Sequence, residues 1–356
     1  MTGDDSERLI THVRSALERD LAVSIEGEAS KAFLGPRADG ELLSTRGHTG
    51  IIEYRPDELV VTARAGTLLS ELDAALGAEN QMLACDPPRF GGKGTLGGAI
   101  AAGFSGPARP WHGSVRDGLL GVELVNGHGE RMQFGGQVMK NVAGYDVSRL
   151  MVGARGTLGL ILSASLRVLP RPEYTRTAVA AVDRVEACSR SLNLLHKPFP
   201  ISGSCYVDNH LYVRLSGNEA AVEDASETLG ADLEVEESFW GQVRDHEHPF
   251  FQGNRPLWRV SLARGSSLHS ENYQEQLVEW AGAQVWAYME AWDAAMAAGG
   301  TGDFADMMIR AVELAEQRPG PTYRAAVIDE AQDLLPIQWE MVKILMKDLE
   351  RIILIL

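Results

Sequence analysis

The chain has 356 residues, 45% of them hydrophobic, with 37 glycines and a formal net charge of −16. Its length suits two or three domains with ample buried core, and its charge argues against a surface built mainly to face nucleic acid, because phosphate binding needs concentrated Lys and Arg. Cys85, Cys188 and Cys205 lie far apart with no C-x-x-C pair, which fits reduced intracellular thiols better than a disulfide framework or a metal cage.

The N-terminus, Met1 to Asp5, is acidic and lacks the basic-then-apolar order of a signal peptide. The closing Ile352 to Leu356 is apolar but too short to span a bilayer. A cytoplasmic protein without a transmembrane segment is expected.

In chain order, residues 6–20 read as an amphipathic helix, with Leu9, Val13 and Leu17 at helical spacing and Asp4 to Ser6 as cap candidates. Strands follow at Leu21 to Ile25 and Leu59 to Ala63, then a helix from Thr67 to Leu76. From Pro87 to Gly136 the chain is rich in Gly, Pro and Arg, interrupted by a strand at Leu119 to Val125. A strand over Leu158 to Leu169 ends at Pro170-Arg171-Pro172, the best domain boundary. Beyond it, strands at Cys205 to Val207 and Leu211 to Leu215 and a helix at Glu219 to Leu229 predict a second, smaller α+β domain. The last seventy residues read as helices around a single strand, Ala325 to Ile328.

Gly92, Gly94 and Gly97 match G-x-G-x-x-G, with Asp117 twenty residues further on. A dinucleotide fingerprint of that kind should follow a strand and open a long helix. Here it follows Pro87-Pro88-Arg89-Phe90-Gly91, and Gly103 and Pro107 soon close any helix. The Rossmann reading is therefore set aside. Instead, Gly27 to Gly35 and Gly91 to Gly106 can turn backbone N–H groups inward around a pyrophosphate, since no Cβ blocks the approach. A third glycine segment runs from Lys140 through Gly144, Tyr145 and Asp146 to Gly156, Gly159 and Ile161. Three such segments in one domain favour a ligand over ordinary turns, but spacing does not name it.

The run DPPRFGGKGTLGGAIAAGFSGPARPWHGSVRDGLLG, followed by FGGQVMKNVAGYDVSRLMVGARGTLGLI, resembles the flavin domain of the PCMH-type (vanillyl-alcohol-oxidase-type) FAD family. Within it, GPARPWHGSVRD, KNVAGYD, LWRVSL and PISGSCYVDNHLYVRL are similar to the FAD-binding subunit of bacterial glycolate oxidase, over about residues 21–286. The resemblance implies an α+β fold: a two-subdomain FAD-binding domain over 1–172, a partial cap domain over 173–286, and a foreign, mainly helical segment over 287–356. It implies FAD held by a first loop of Gly27, Ser30 and Lys31, and by a second of Pro88, Gly94, Thr95, Gly97, Gly98 and Gly103. Ala29 departs from the glycine common in relatives. Gly113, Ser114 and Asp117 would lie near the flavin, and Gly156, Leu158, Gly159 and Ile161 on the adenine side, where Arg155 replaces a commonly acidic residue.

The implied chemistry is oxidation of a small 2-hydroxy acid within a complex containing a second flavin subunit, where the substrate is expected, and an iron–sulfur subunit. Membrane association would run through those partners. No catalytic base and no metal are assigned. His112 and Arg116 form a polar pair near the expected flavin, although a structural role suits His112 better. His48 is a weak candidate for covalent flavin attachment, and Tyr145 suits a stacking or a core role equally.

After Trp286 the resemblance stops. GDFADMMIRAVELAEQRPGPTYRAAVIDEAQDLLPIQWEMVKIL is similar to part of a superfamily 1 DNA helicase motor, with Asp329 and Glu330 where such enzymes hold Mg²⁺. No G-x-x-x-x-G-K-[ST] loop accompanies them, and residues 287–356 carry twelve acidic against six basic residues. The alternatives to a flavoprotein subunit are thus a truncated chimera joined near residue 287, a helicase-derived fragment, or a stand-alone flavin reductase on the same fold.

Overall fold

A computed structural model describes residues 3–34, 40–136, 146–229, 235, 238–253, 257–261 and 275–288, with strands at 325–328 and 351–354. The chain divides into two compact units, Met1–His269 with Glu275–Tyr288, and Ser270–Gln274 with Met289–Leu356. The predicted α+β class is the one observed.

Helix α1 (Ser6–Glu18) opens the first unit and leads into two parallel strands, β1 (Val23–Glu26) and β2 (Glu41–Ser44). Next comes an antiparallel sheet of β3 (Ile51–Arg55), β4 (Val60–Arg64), β5 (Gln81–Leu83), β6 (Leu119–Val125), β7 (Arg131–Gly135) and β8 (Leu160–Pro170). Its order is β3-β4-β8-β6-β7, with β5 continuing beside the far end of β8. Strand β8 reads LILSASLRVLP without apolar alternation because both its faces are covered, and its first seven residues are all buried. Leu160 and Leu162 pack with Leu9 and Ile10 of α1 and with Leu43. Ile161, Ala164, Leu166 and Val168 belong to the core shared with α2 (Leu69–Ala78) and α3 (Leu96–Ala102), through Leu69, Leu72, Leu76, Leu96 and Ile100.

A second six-stranded antiparallel sheet follows: β9 (Tyr174–Ala181), β10 (Ile201–Val207), β11 (His210–Gly217), β12 (Leu257–Ser261), β13 (Gln276–Glu279) and β14 (Gln284–Tyr288), in the order β12-β14-β13-β10-β11-β9. Asp208 and Asn209, both at positive φ, turn β10 into β11, the conformation a two-residue hairpin prefers. Helices at Arg184–Leu194, Glu219–Leu229 and Phe239–Asp245 flank this second sheet. The last of them buries Phe239, Trp240 and Val243 against Cys205, Leu277 and Trp286.

In the second unit, β15 (Ala325–Ile328) is paired in parallel with β16 (Arg351–Leu354). The sequence reading expected one strand here; the apolar Ile352-Ile353-Leu354 run supplies a second. Asp329, Glu330 and the helical patterns around them lie outside the described residues. All three cysteines are free. Among the described residues, no helix is long and apolar enough to cross a membrane, and no cluster of His, Cys, Asp or Glu is arranged to hold a metal.

Candidate cofactor site

The first two glycine segments meet. Gly27 follows the end of β1, and a Cβ built on it would stand 2.8 Å from Oγ1 of Thr95 and 3.7 Å from Oγ1 of Thr45. Thr95 is the N-cap of α3, its hydroxyl accepting a hydrogen bond from the Gly98 N–H at 3.2 Å. The helix start is fastened to the turn after β4: Leu96 N–H donates to Thr67 O at 2.9 Å and Gly97 N–H to Ala65 O at 2.7 Å. A Cβ on Gly97 would lie 2.8 Å from that of Ala65. At Gly27, Gly94 and Gly97 it is therefore the protein that crowds the missing side chain (for Gly94, Cα of Arg89 at 3.0 Å). A Cβ on Gly98 would stand 3.0 Å from Thr95 Oγ1.

Gly91 and Gly92 behave differently, and the site list drawn from sequence omitted both. Their φ values are 72° and 74°, and nothing lies within 4 Å of either Cβ position. Among the described residues, the N–H groups of Gly91 to Thr95, and of Ala29 to Lys31, have no hydrogen-bond partner. Two loops in contact, each with unpaired amides, form a cradle for an anion. Ala29 sits at φ 56°, in the left-handed region. That geometry is the physical reason a glycine would serve better there.

Lys31 supplies the fitting charge. Burial pushes its pKa down to about 8, with the carboxylate of Asp245 pulling the other way. Its Nζ is 3.5 Å from Oγ of Ser30 and 5.5 Å from the centre of the Phe90 ring. No carboxylate of the described residues lies within ion-pairing distance of it. A desolvated ammonium with no close counter-ion, beside unpaired amides, suits a diphosphate.

Gly103 (φ 67°) ends α3, where a Cβ would be 3.2 Å from Gly153 N. The last carbonyls of α3 accept from Gly153 N–H (Ile100 O, 3.0 Å) and Arg155 N–H (Ala101 O, 2.9 Å). This brings Gly156 (φ 78°) against β1, where a Cβ built on it would be 3.5 Å from Cδ1 of Ile25. Leu158 is half exposed, whereas the side chain of Ile161 is committed to the core. Gly159 faces Val125 O, 2.9 Å from its Cβ position. The Lys140–Tyr145 segment, Tyr145 included, lies outside the described residues; Asp146 caps the short helix after it by accepting Arg149 N–H at 3.0 Å.

Beside α3, Gly113 (φ 94°) leads into a tight turn in which Ser114 donates from both N and Oγ to Oδ2 of Asp117, each at 2.7 Å. Burial raises the pKa of Asp117, but these bonds outweigh it and hold the group below its ordinary value. Asp117 is thus an anionic turn-holder. Burial, reinforced by the charge of Arg214, lowers the pKa of half-buried His112. Arg116 is exposed, and no hydrogen bond or ion pair joins it to His112 among the described residues. His48 is 2% exposed, and its Nδ1 accepts Asp5 N–H at 3.1 Å. It ties the start of α1 to the turn after β2, which is a structural role.

Pro88 is buried where the two sheets meet. Trp280 Nε1 donates to Gly106 O at 3.1 Å, and Pro88, Ser105, Arg259, Glu279 and Trp286 line a cavity of about 20 Å³, enough for a single water. Ser105 Oγ is buried there without a partner among the described residues. Glu279 accepts from Gln284 Nε2 at 2.8 Å and Trp286 Nε1 at 2.9 Å, and burial pushes its pKa up to about 7.

Comparison with known proteins agrees with this geometry. Residues 2–135 match the family model of the FAD binding domain, and residues 255–355 that of the UvrD/REP helicase N-terminal domain. Glycolate oxidase subunit GlcE of Escherichia coli (strain K12) is 45% identical over 290 residues, which cover 82% of each chain. Glycolate oxidase subunit GlcD of Bacillus subtilis (strain 168) is 29% identical over 158 residues, 44% of this chain and 33% of that one. Among solved structures, alkyldihydroxyacetonephosphate synthase superposes with a TM-score of 0.60 at 14% identity, covering 81% of this chain and 67% of that one, a likeness of fold alone.

Proposed function

The chain belongs to the family of glycolate oxidase subunit GlcE, and on that premise we propose that it holds FAD between its two glycine loops as the flavoprotein subunit of a 2-hydroxy-acid-oxidising complex. The observation that carries this reading is the pair of touching glycine loops with unpaired amides, one of which carries the buried Lys31 ammonium, over the Phe90 ring and without an ion pair among the described residues. Lys31, Ser30 and the amides of Gly91 to Thr95 would bind the diphosphate. Half-exposed Leu158 would meet the adenine, whereas the Cβ positions of Gly156 and Gly159 are already met by Ile25 and by Val125 O, and the Ser114–Asp117 turn would shape the flavin side. Bound FAD supplies a two-electron acceptor for oxidation of a small 2-hydroxy acid.

The same reading assigns residues 1–172 to the FAD-binding domain, 173–286 to a partial cap and 287–356 to a foreign segment. It places the complex in the cytoplasm. The substrate would be oxidised at a second flavin subunit, with electrons leaving through an iron–sulfur subunit. The test is the visible spectrum of the purified 356-residue chain with and without added FAD. Oxidised-flavin bands that co-migrate with the protein are expected; a colourless protein that takes up no FAD would overturn the proposal.

A second reading is favoured by the helicase-type match over residues 255–355: a chimera whose foreign end disables the flavoprotein. It predicts no uptake by this chain, and uptake once the family's own C-terminal end is restored.

A further inference from the structure

The loop that offers its amides to the cofactor is held in an unfavourable shape. Between β5 and α3, Asp86 (φ 43°) and Phe90 (φ 46°) occupy left-handed backbone, followed by Gly91 and Gly92. Non-glycine residues persist there only where surrounding contacts over-determine them. Those contacts come largely from the cap, more than 150 residues further along the chain.

Asp245, the last residue of the helix Phe239–Asp245, accepts the Arg89 N–H on Oδ1 at 2.7 Å. Arg244 donates from Nη1 to Asp86 Oδ1 at 3.2 Å and from Nη2 to Asp245 Oδ2 at 2.6 Å. Arg214 stands 3.9 Å from the other Asp86 oxygen, and the Arg89 guanidinium pairs with Asp73 of α2. His246, itself at φ 58°, packs its ring edge-on against Phe90 at 5.1 Å. It is stacked in turn on Phe251 at 4.2 Å and set against Trp286 at 4.5 Å. On its other side Phe90 meets Phe33 at 5.1 Å and the Lys31 ammonium. One line of contacts therefore runs from the aromatic core of the cap, through His246 and Phe90, to the first glycine loop.

We propose that Arg244, Asp245 and His246 are a latch for the cofactor loop: positioning residues of the cap that hold residues 86–94 in the shape that binds the FAD diphosphate. This rests on the FAD reading above. Half-buried charges are a poor way to gain stability, since apolar packing does as well. They are a good way to fix direction, and here the carboxylate grips a backbone N–H of the loop itself. Coupling of this kind is reciprocal. A displaced cap weakens FAD binding, and bound FAD tightens the cap.

The test compares the full chain with its Asp245→Ala and Asp245→Asn variants. FAD affinity is followed by flavin fluorescence, and hydrogen exchange of the backbone amides is measured with and without FAD. Asp245→Ala is expected to weaken FAD tenfold or more and to speed exchange at residues 89–94 in the FAD-free protein, while β8 and β10 stay protected. Asp245→Asn keeps an acceptor for Arg89 N–H and is expected to recover most of the affinity. FAD is expected to slow exchange at residues 239–246 of the unsubstituted chain. Unchanged affinity in Asp245→Ala would overturn the latch alone, as would a loss accompanied by loosened β8 and β10. An unsubstituted chain that takes up no FAD would overturn the cofactor reading and the latch with it.

Discussion

Gly27 and Thr95 touch across two loops that the chain reaches far apart, one at the end of β1 and one at the start of α3. A Cβ on Gly27 would approach Thr95 Oγ1 to 2.8 Å, and that same oxygen caps α3 through Gly98 N–H. An added methyl must therefore push aside a hydroxyl that is already engaged. Gly27→Ala is expected to cost about 1–3 kcal/mol of stability through overpacking and to weaken FAD binding by spreading the two loops. Thermal unfolding and FAD titration of the variant check both effects. Wild-type behaviour in both would mean that Thr95 rotates away at no cost.

Lys31 should make FAD binding depend on pH. Without the cofactor its pKa is about 8. A diphosphate beside it favours the charged form and raises that value, so binding takes up a proton once the pH exceeds about 8. Affinity is expected to be level below pH 8 and to fall above it, by at most about tenfold per pH unit. Lys31→Met should bind FAD more weakly at neutral pH, by about 1.5–3 kcal/mol for one charge-assisted contact, and should lose the decline above pH 8. Titrations from pH 6.5 to 9.5 on both proteins decide it; a variant that keeps the decline would show that another group titrates.

Glu279 sets a different pH dependence, on stability. Its folded pKa, about 7, lies above the ordinary carboxyl value because the group is buried. The folded state then holds its proton more tightly than the unfolded state. Its contribution is fully present below about pH 4.5 and is lost as the pH rises through 7, an effect of about 3 kcal/mol at most. Glu279→Gln offers one oxygen to Gln284 and Trp286 without a charge. The variant is expected to be more stable than the parent at pH 8 and about equal to it at pH 5. Urea unfolding at the two pH values measures the difference, and equal stabilities at pH 8 would count against the assignment.

The C-terminal segment carries the Asp329-Glu330 pair but the chain has no phosphate loop. Without one, nothing anchors the nucleotide phosphates that the carboxylates would serve. Phosphate release from ATP is expected to equal a buffer blank, with or without single-stranded DNA, and Asp329→Asn to leave it unchanged. Stimulation by DNA that Asp329→Asn abolishes would restore the motor reading.

Several elements were legible because their signals are local. The strand Leu119–Val125 and the helix Glu219–Leu229 appear at their expected bounds, each marked by its own apolar pattern. Helix α2 begins two residues later than expected, at Leu69, because Leu68 is still extended. Strands β2, β3, β5 and β7 went unmarked, as did β9 and β12 to β14 of the second sheet. Strand β7 is largely exposed along Arg131–Gly135, so it has no apolar face to reveal. Strand β16 is apolar, but a four-residue run at a chain end announces nothing until Ala325–Ile328 lies beside it. The glycine loops were legible as a class. Their division of labour was not, since Gly97 and Gly91 look alike until Ala65 is found against one and open space against the other.

The sequence by itself determined the family, the α+β class and the glycine segments proposed to cradle a diphosphate, because glycines, a buried-strand composition and motif strings are properties of short stretches. The tertiary structure decided which of those segments meet and what holds them. Lys31 is a desolvated charge only because folding buries it beside Phe90. The Arg89 amide finds its acceptor in Asp245, 156 residues away. A hydrogen bond across that separation leaves no period and no motif in the chain, since it depends on where two sheets come to rest and not on any residue's neighbours in sequence.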